Sequence, residues 1–365
     1  MSKLVEVETL QLWLAEGKPV TVLDVRPREQ YDEWRIPGSV HVDAYGKLKA
    51  GDEEVLRALD LPTNRPVVTV CVSGNTSQVA ADQLERRGLD VSSLTGGMKA
   101  WSFAWNKAVV SLPNGVEVVQ VRRAGKGCLS YLVSSQQEAL VIDPSLDQQV
   151  YLDLARDLGV EIVGILDTHL HADHLSRANH LATTLGVPRY LPAQDRVNCP
   201  HTPLGNGDVI TFGKSKLEVL LTPGHTWESS TFAIDGALFT GDTLFTDSVG
   251  RPDLEAAPEE ARKRALVLYD SLQRLTSLPG ETLVLPAHAD EPPDFSGTPW
   301  AARISDVRAK IELLQLERDA FADYLTDHAQ PAPANHTLIV QLNEACELPQ
   351  AVGDLEAGAN RCAIH

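Results

Sequence analysis

The chain has 365 residues, enough for about two domains of ordinary size. Hydrophobic residues make up 43% and charged residues 22%, the composition of a folded globular protein, so a disordered or fibrous chain is excluded. The net charge of −18 repels phosphate backbones and anionic lipid, and it therefore disfavours nucleic acid and membrane surfaces as partners. No apolar run reaches the roughly 18 residues of a membrane span, and the acidic N-terminus differs from a secretory signal, so we expect a cytoplasmic protein.

The first 108 residues alternate between short strands and helices. β-rich runs predict strands at 20–23 and 67–70, and apolar residues at helical spacing predict a helix over 76–87 that stops at Gly88. This order is typical of a parallel α/β sheet. Residues 109–115 contain a proline and a glycine without periodicity, so we predict a linker there, between a first domain (1–108) and a second (116–365).

The second domain is richer in strands. The predicted strands are 130–133, 139–142, 162–166, 217–221, 231–234 and 283–285. Apolar spacing over 301–324 predicts one long helix, which opens a C-terminal helical segment from about residue 300.

A dense cluster of metal-ligand side chains follows the strand at 162–166. His169, His171, Asp173 and His174 form an H-x-H-x-D-H motif, and three imidazoles beside a carboxylate are costly to bring together without a cation. His225, Asp242 and His288 each follow a later apolar run. Because loops at the ends of neighbouring strands meet at one sheet edge, these residues predict a single metal centre.

With these motifs the chain resembles the metallo-β-lactamase family over 116–288, which implies an αββα sandwich with the metal at one sheet edge. The His-Ala-Asp-His sequence, the Thr-Pro-Gly-His-Thr motif and residues 250–253 (Gly-Arg-Pro-Asp) look most like persulfide dioxygenases of the ethylmalonic-encephalopathy-protein type. Glyoxalase II, a thioester hydrolase, is the other similar family.

The two families imply different metals. Resemblance to the dioxygenases implies one Fe(II) held by His169, His225 and Asp242, a facial triad that leaves positions open for dioxygen and sulfur. The remaining four motif residues would then orient ligands and handle protons. They are His171, Asp173, His174 and His288. Resemblance to glyoxalase II implies two zinc ions instead, the first bound by the histidines at 169, 171 and 225, the second by residues 173, 174 and 288, with Asp242 bridging.

Local departures from both families bear on this choice. Glyoxalase II enzymes usually continue Gly-His-Thr with a glycine and a second histidine, whereas Trp227 and Glu228 follow here. That difference weakens the hydrolase interpretation. The same pair also departs from the dioxygenase pattern. Pro252 is a second departure from it, because many dioxygenases have threonine at that position. Arg251 matches the dioxygenase arginine, and the resemblance implies that it binds the carboxylate of a thiol substrate, with a surface ion pair as the alternative.

Cys71 follows the strand at 67–70 and precedes the predicted helix. Free N–H groups at a helix N-terminus stabilise a thiolate and bind anions, an environment that suits a nucleophile, although a lone cysteine at a strand end more often packs as a small hydrophobic residue. Residues 23–26 (Leu-Asp-Val-Arg) and 96–101 (Gly-Gly-Met-Lys-Ala-Trp) resemble a rhodanese domain over 5–105, which implies that Cys71 carries a persulfide. The sulfur-binding loop would consist of Val72, Ser73, Gly74, Asn75, Thr76 and Ser77. Val72 and Thr76 replace the cations of thiosulfate-using members, so a persulfide is the expected donor.

Two sulfur-handling domains on one chain favour the dioxygenase. The implied reaction converts a thiol persulfide, O2 and water to thiol and sulfite in sulfide metabolism, with sulfane sulfur exchanged at Cys71 with thiol, sulfite or thiosulfate. Persulfides of glutathione, coenzyme A and bacillithiol all fit, and related proteins often form homodimers. Two alternatives stay open: a zinc thioester hydrolase with an accessory rhodanese domain, and a non-catalytic sulfur carrier.

The remaining cysteines lack CxxC spacing, so the sequence predicts neither a disulfide framework nor a cysteine-rich zinc site. We interpret them as packing residues, with the one near the C-terminus open to oxidation. They are Cys128, Cys199, Cys346 and Cys362.

Overall fold

The N-terminal part of the protein is built on a parallel five-stranded sheet. The computed structural model describes residues 2–289, 291–329 and 331–364. The strands are β1 (Lys3–Val5), β2 (Thr21–Asp24), β3 (Val40–His41), β4 (Val67–Val70) and β5 (Val91–Leu94), in the order β1-β5-β4-β2-β3. All four residues of both β2 and β4 are buried, as expected when helices cover both faces of a parallel sheet. The helices are α1 (Val7–Ala15), α2 (Arg28–Glu33), α3 (Tyr45–Lys49), α4 (Asn75–Arg86) and α5 (Gly97–Trp101).

The second part contains two large sheets that pack face to face. A seven-stranded sheet has the order β12-β11-β10-β9-β8-β7-β6, and a six-stranded sheet has the order β13-β14-β15-β16-β18-β19. The strands of the first are β6 (Asn106–Ser111), β7 (Val116–Arg123), β8 (Cys128–Ser135), β9 (Glu138–Ile142), β10 (Glu161–Leu166), β11 (Arg189–Pro192) and β12 (Thr202–Leu204). Those of the second are β13 (Val209–Phe212), β14 (Ser215–Leu221), β15 (Ser230–Ile234), β16 (Ala237–Gly241), β18 (Leu283–Pro286) and β19 (Ala302–Arg303). A separate pair joins β17 (Val249–Gly250) to β20 (Ala363–Ile364).

Helices cover the outer faces of both sheets, so the layers run helix, sheet, sheet, helix. One apolar core lies between the sheets and includes Tyr131, Phe232 and Phe239. A second lies under α6 (Gln148–Leu158) and α7 (Ala178–Leu185). A third lies under the helices α8 (Pro258–Thr276), α9 (Ile304–Lys310) and α10 (Arg318–Asp327). The helices α11 (His336–Ala345) and α12 (Val352–Glu356) follow. The predicted fold class is confirmed, including the C-terminal helices.

Two local predictions differ from the structure. The stretch predicted as a linker is largely the turn of a hairpin, because β6 pairs antiparallel with β7 and a short 3-10 helix, Pro113–Gly115, lies between them. The domain boundary at 109–115 therefore stays a prediction. The long helix predicted over 301–324 is wrong: the backbone is extended at Ile311 and Leu316, on either side of a 3-10 turn. The adjacent Leu313 and Leu314 of this turn both lie in the core under α8.

In the part of the chain that the structure describes, no helix is both long and apolar enough to cross a bilayer.

Candidate metal centre

Loops at one edge of the two packed sheets bring the predicted metal-binding residues together. These loops follow β10, β14, β16 and β18. Each of the seven predicted residues on them is at most 2% exposed to solvent. They are His169, His171, Asp173, His174, His225, Asp242 and His288. Adjacent imidazoles contact one another in sequence around the centre, with ring centroids 4.2 to 6.1 Å apart.

Three of these residues form a cluster of their own. Donor atoms of His169, His225 and Asp242 all lie within 4.8 Å of one another. Asp242 Oδ2 lies 3.7 Å from His169 Nε2 and 3.6 Å from His225 Nε2, close to the roughly 3.0–3.5 Å that separates neighbouring ligands of one metal ion. His169 Nε2 and Asp242 Oδ2 are buried and make no hydrogen bond with any described residue. These two orphaned donors, together with the nearby His225 Nε2, fit a divalent cation.

Hydrogen bonds behind the cluster set the direction of each ligand. Thr168 Oγ1 lies 2.9 Å from His169 Nδ1 and donates to Asp143 Oδ2 at 2.9 Å. The Thr168 backbone N–H donates to Asp143 Oδ1 at 2.7 Å. His225 Nδ1 lies 2.8 Å from the carbonyl oxygen of Arg251, to which it donates. Both rings therefore turn Nε2 toward Asp242, since the Nδ1 positions are engaged.

The two ring nitrogens of His171 have different surroundings: Nδ1 is buried and makes no hydrogen bond with any described residue, whereas Nε2 faces two carboxylates. Its Nε2 lies 3.2 Å from Asp143 Oδ1 and 4.0 Å from Asp167 Oδ1. Asp167 is itself paired with Arg189 Nη2 at 3.1 Å. The H-x-H part of the motif is thus divided between two environments.

The other motif residues form a second cluster with a cysteine. His288 Nε2 lies 2.9 Å and His174 Nδ1 3.0 Å from the Asp173 carboxylate, and Cys128 Sγ lies 3.4 Å from Asp173 Oδ2. His288 Nδ1 contacts Asp242 Oδ1 at 2.6 Å, so His288 joins the two clusters.

The electrostatics of the two clusters differ. Burial lowers the pKa of His169 and His225, in the case of His169 well below its ordinary value, so both imidazoles are neutral, the form that can bind a metal ion. Burial opposes ionisation of Asp242, but His288 and His169 outweigh it and lower the pKa of that carboxyl.

In the second cluster the histidines hold protons. Burial lowers the pKa of His174, but Asp173 outweighs it and raises the value to about 10. Asp173 and Asp242 likewise raise the pKa of His288 well above its ordinary value. Burial raises the pKa of Cys128, but His174 and His288 together bring it down to about 7. Asp173 thus lies as a carboxylate between two imidazolium groups.

The sequence analysis missed several residues that border the centre. Cys128 is one, and Cys362, expected to be a mobile redox target, is buried beside Asp242 and His288. Glu228, one of the departures from the family pattern, accepts a hydrogen bond from the Leu170 N–H at 3.1 Å. It therefore supports the metal loop, residues 167–177 between β10 and α7, which carries the H-x-H-x-D-H motif. Neither cysteine lies near a ligand motif in sequence, so spacing gave no signal.

Arg251 is buried under the C-terminal tail. Its guanidinium binds Asp253 at 2.6 and 2.8 Å and donates to the carbonyl oxygen of Arg361 at 3.1 Å. Its backbone N–H donates to the Cys362 carbonyl oxygen. A substrate carboxylate could reach this guanidinium only if the tail moved, so a role in substrate binding stays a prediction.

The predicted sulfur loop lies between β4 and α4. Gly74 has φ 91° at the N-cap of α4, and the backbone N–H of Met98 donates to the carbonyl oxygen of Cys71 at 2.8 Å. Gly97 packs so closely that a Cβ there would lie 2.3 Å from this oxygen. The Cys71 side chain is 1% exposed, although Ser73 and Asn75 of the loop are exposed. At the end of β2, Asp24 and Arg26 form a buried ion pair with an N–O distance of 2.7 Å.

A disulfide corrects the expectation that no cysteines pair. Cys199 and Cys346 are bonded across 147 residues of sequence, because α11 folds back over the metal loop. On the same helix, the Asn343 side chain donates to the carbonyl oxygens of His171 and His174 at 2.8 and 2.9 Å. The disulfide therefore fastens the helix that holds the metal loop.

Comparison with known proteins agrees with this geometry. Residues 123–288 match the metallo-beta-lactamase superfamily model, and residues 6–104 match the rhodanese-like domain model. A hydroxyacylglutathione hydrolase from Xanthomonas euvesicatoria pv. vesicatoria is 32% identical over 190 residues, covering 52% of this chain and 70% of that protein. The chain belongs to the metallo-β-lactamase superfamily. The hydroxyacylglutathione hydrolase of Nitrosomonas europaea is 36% identical over 168 residues, covering 46% of this chain and 61% of that protein.

Two solved structures of this superfamily type share the fold. A metallo-beta-lactamase from Staphylococcus aureus subsp. aureus COL superposes with a TM-score of 0.58 at 25% identity, covering 66% of this chain and 74% of that one. ETHE1 from Myxococcus xanthus superposes with a TM-score of 0.56 at 27% identity, covering 63% of this chain and 98% of that one. In this metallo-β-lactamase superfamily protein, the rhodanese-like domain lies at the N-terminal end.

Proposed function

We propose that the protein is a persulfide dioxygenase that holds one Fe(II) with His169, His225 and Asp242. The reaction is R–S–SH + O2 + H2O → R–SH + sulfite + 2 H⁺, in which the outer sulfur is oxidised and dioxygen is reduced. The fused rhodanese-like domain would carry sulfane sulfur on Cys71. The curated relatives named hydroxyacylglutathione hydrolase supply the second candidate, a zinc-dependent thioester hydrolase.

The position of His171 is the observation that supports the dioxygenase. A hydrolase of the glyoxalase II type would need His169, His171 and His225 around one zinc ion. Here donor atoms of His169, His225 and Asp242 form one set within 4.8 Å. His171 is not part of that set: its Nε2 pairs with Asp143, although its Nδ1 is buried without a hydrogen bond to any described residue. Two histidines and one carboxylate are the ligand set of non-heme iron oxygenases, because they leave positions open for dioxygen and substrate. The likeness to ETHE1 points in the same direction.

The surrounding residues would orient ligands and accept protons. Fe(II) supplies the dioxygen chemistry when bound. Thr168 and the Arg251 carbonyl fix the two histidine rings with Nε2 toward the metal. His288 lies between Asp242 and Asp173, at 2.6 and 2.9 Å, so it can pass a proton from one carboxylate to the other.

The sulfurtransfer step needs only the thiolate of Cys71 and a persulfide. The thiolate attacks the outer sulfur of R–S–SH, the donor S–S bond breaks, and Cys71–S–SH and R–S⁻ form. The backbone N–H groups at the start of α4 lie beside this loop and favour the anionic forms. Neither Val72 nor Thr76 offers a cation to thiosulfate, so a persulfide is the better donor.

An oxygen electrode tests the dioxygenase. Protein loaded with iron should consume O2 and form sulfite with the persulfide of glutathione, coenzyme A or bacillithiol, and Asp242→Ala should abolish both iron binding and O2 consumption, since its charge is lost. Hydrolysis of a hydroxyacylglutathione thioester by zinc-loaded protein, with no O2 uptake by the iron form on any of the three persulfides, would establish the hydrolase instead.

Mass spectrometry tests the sulfurtransferase separately. After treatment with glutathione persulfide, an added sulfur of about 32 Da should map to the peptide of Cys71. Cys71→Ser should lose the adduct and sulfur transfer to cyanide, with unchanged iron content. Cys362→Ser is the matched control and should keep the adduct at Cys71. An adduct confined to Cys128 or Cys362 in the wild type would refute the role of Cys71.

A further inference from the structure

The disulfide between Cys199 and Cys346 lies beside a buried arginine. Arg189 is 6% exposed, and its Nη1 lies 2.9 Å from Cys199 Sγ and 3.0 Å from Cys346 Sγ. Its Nε is buried and makes no hydrogen bond with any described residue. A disulfide is uncharged and gains little from a nearby cation, whereas an arginine stabilises the thiolate of a cysteine. The position of Arg189 therefore suits these sulfur atoms in their reduced, ionised form.

A surface cleft adjoins this disulfide. Its volume is about 420 Å³, and its walls include Arg189, residues of α7 and residues 200–202, which directly follow Cys199. Both cysteines of the disulfide are partly exposed, whereas the other three cysteines of the chain are buried. A small thiol bound in this cleft would therefore lie next to Cys199.

We propose that Cys199 is a site of thiol–disulfide exchange, at which a low-molecular-weight thiol forms a mixed disulfide with the protein. The thiolate R–S⁻ attacks Cys199 Sγ, the bond to Cys346 breaks, and R–S–S–Cys199 and the Cys346 thiolate form. The Arg189 guanidinium stabilises this leaving thiolate, and a better leaving group speeds the exchange. A second R–S⁻ then attacks the R sulfur of the mixed disulfide. It releases R–S–S–R, so two thiols are oxidised while the protein disulfide is reduced.

The exchange would also affect the metal loop. Arg189 Nη2 lies 3.1 Å from Asp167 Oδ2, and Ser176 Oγ donates to Asp167 Oδ1 at 2.7 Å, so one carboxylate joins the two ends of the loop. Opening the disulfide gives the guanidinium a charged sulfur as a second partner. It also frees the last turn of α11, the helix whose Asn343 holds the loop.

The proposed site is chemically separate from the metal-binding triad. The thiol R–SH formed in the proposed dioxygenase reaction belongs to the same class of reagent, but the exchange needs neither bound metal nor turnover. A failure of the dioxygenase assignment would therefore leave this proposal untouched, and the reverse also holds.

Glutathione is the probe, applied to the oxidised full-length protein. At millimolar reduced glutathione the disulfide should open, and peptide mass spectrometry after acid quenching should locate a glutathionyl group on Cys199. The buried Cys128 and Cys362 should carry none. Cys346→Ser, treated with glutathione disulfide, should accumulate the adduct on Cys199, because no neighbouring thiol can displace it. A wild-type disulfide that stays closed, or an adduct confined to Cys346, would overturn the proposal.

The variant Arg189→Gln tests the role of the cation. Its disulfide should open roughly 3- to 10-fold more slowly, since the leaving thiolate loses its partner. Arg196→Gln is the matched control, because Arg196 also joins this segment to α11, through Glu344 at 2.6 Å, and it should open at the wild-type rate. Equal rates in the two variants would refute the role of Arg189.

A second measurement covers the case in which Arg189→Gln fails to fold. In Cys346→Ser, the rate at which iodoacetamide alkylates Cys199 is followed against pH. The rate should reach half its maximum below the ordinary pKa of a cysteine thiol, because Arg189 favours the thiolate. A midpoint at or above the ordinary value would contradict the proposal.

Discussion

His169 and His171 are two residues apart, yet they have different partners. In an extended stretch, side chains at positions i and i+2 lie on one side, but the loop after β10 turns, so His169 faces Asp242 and His171 faces Asp143. The two histidines of one motif therefore offer a matched pair of variants.

Replacing each histidine in turn tests the proposed ligand set. His169→Ala should lose most of the bound iron, because it removes a donor of the triad. His171→Ala should still bind close to one iron per chain, with an affinity reduced by about 10–100-fold, the usual effect of a residue that only supports a ligand. Iron titration with optical detection measures both. Equal loss of iron stoichiometry in the two variants would place His171 among the ligands.

At the scale of elements, α11 joins the metal loop to the rest of the C-terminal segment. Its Asn343 binds two carbonyl oxygens of that loop, and its last turn is bonded through Cys346 to Cys199. Arg189 lies beside both sulfur atoms and also pairs with Asp167. The disulfide, α11 and the metal loop thus form one connected unit.

Opening this disulfide should weaken the unit. The Cys199→Ser, Cys346→Ser double variant should lose roughly 2–4 kcal/mol of unfolding free energy and melt about 5 °C or more below the oxidised wild type. It should also release iron to a chelator faster, because α11 no longer holds the loop. A reducing agent should lower the melting temperature of the wild type and leave that of the variant unchanged. Equal melting temperatures of the oxidised wild type, the reduced wild type and the double variant would show that the disulfide does not stabilise the fold.

Local sequence patterns predicted the strands and the metal motif. They did not predict contacts between residues that are distant in sequence. Strands such as β4 and β10 have apolar runs bounded by turn residues, and the H-x-H-x-D-H motif is contiguous, so both were visible. Cys128 meets Asp173 across 45 residues, and the disulfide spans 147, so only the folded chain reveals them. The helix predicted over 301–324 failed for a related reason, because its apolar spacing continues through Ile311 and Leu316, where the backbone is extended.

At the scale of the whole molecule, Glu356 joins three segments in the interior. Its carboxylate binds Arg123 at the end of β7 at 2.6 Å and Arg177 before α7 at 3.1 Å, and it accepts the N–H of Leu175 in the metal loop. Arg123 in turn donates to the carbonyl oxygen of Ser102 in the first domain. Burial opposes ionisation of Glu356, but Arg123 and Arg177 outweigh it and lower its pKa to about 2.

This buried carboxylate predicts acid sensitivity. Because its pKa in the folded state lies below the ordinary 4.5, it stabilises the fold above that value, and the contribution is lost as the pH falls toward 2. Glu356→Gln should cost roughly 3–5 kcal/mol at neutral pH, since two arginines lose their partner. Its unfolding free energy should then fall less steeply than that of the wild type between about pH 5 and pH 2. Urea unfolding at several pH values measures both slopes, and parallel slopes would contradict the assignment.

The hairpin of β6 and β7 decides how this chain can be divided. A cut at residues 113–115 would leave β6 on one fragment and β7 on the other. The edge of β7 that pairs with β6 would then be exposed, and seven of the eight residues of β7 are buried in the intact protein. Unpaired N–H and carbonyl groups along such an edge recruit strands from neighbouring molecules. A fragment that starts at Val116 should therefore aggregate, whereas one that starts before Asn106 keeps its outermost strand and should remain monodisperse.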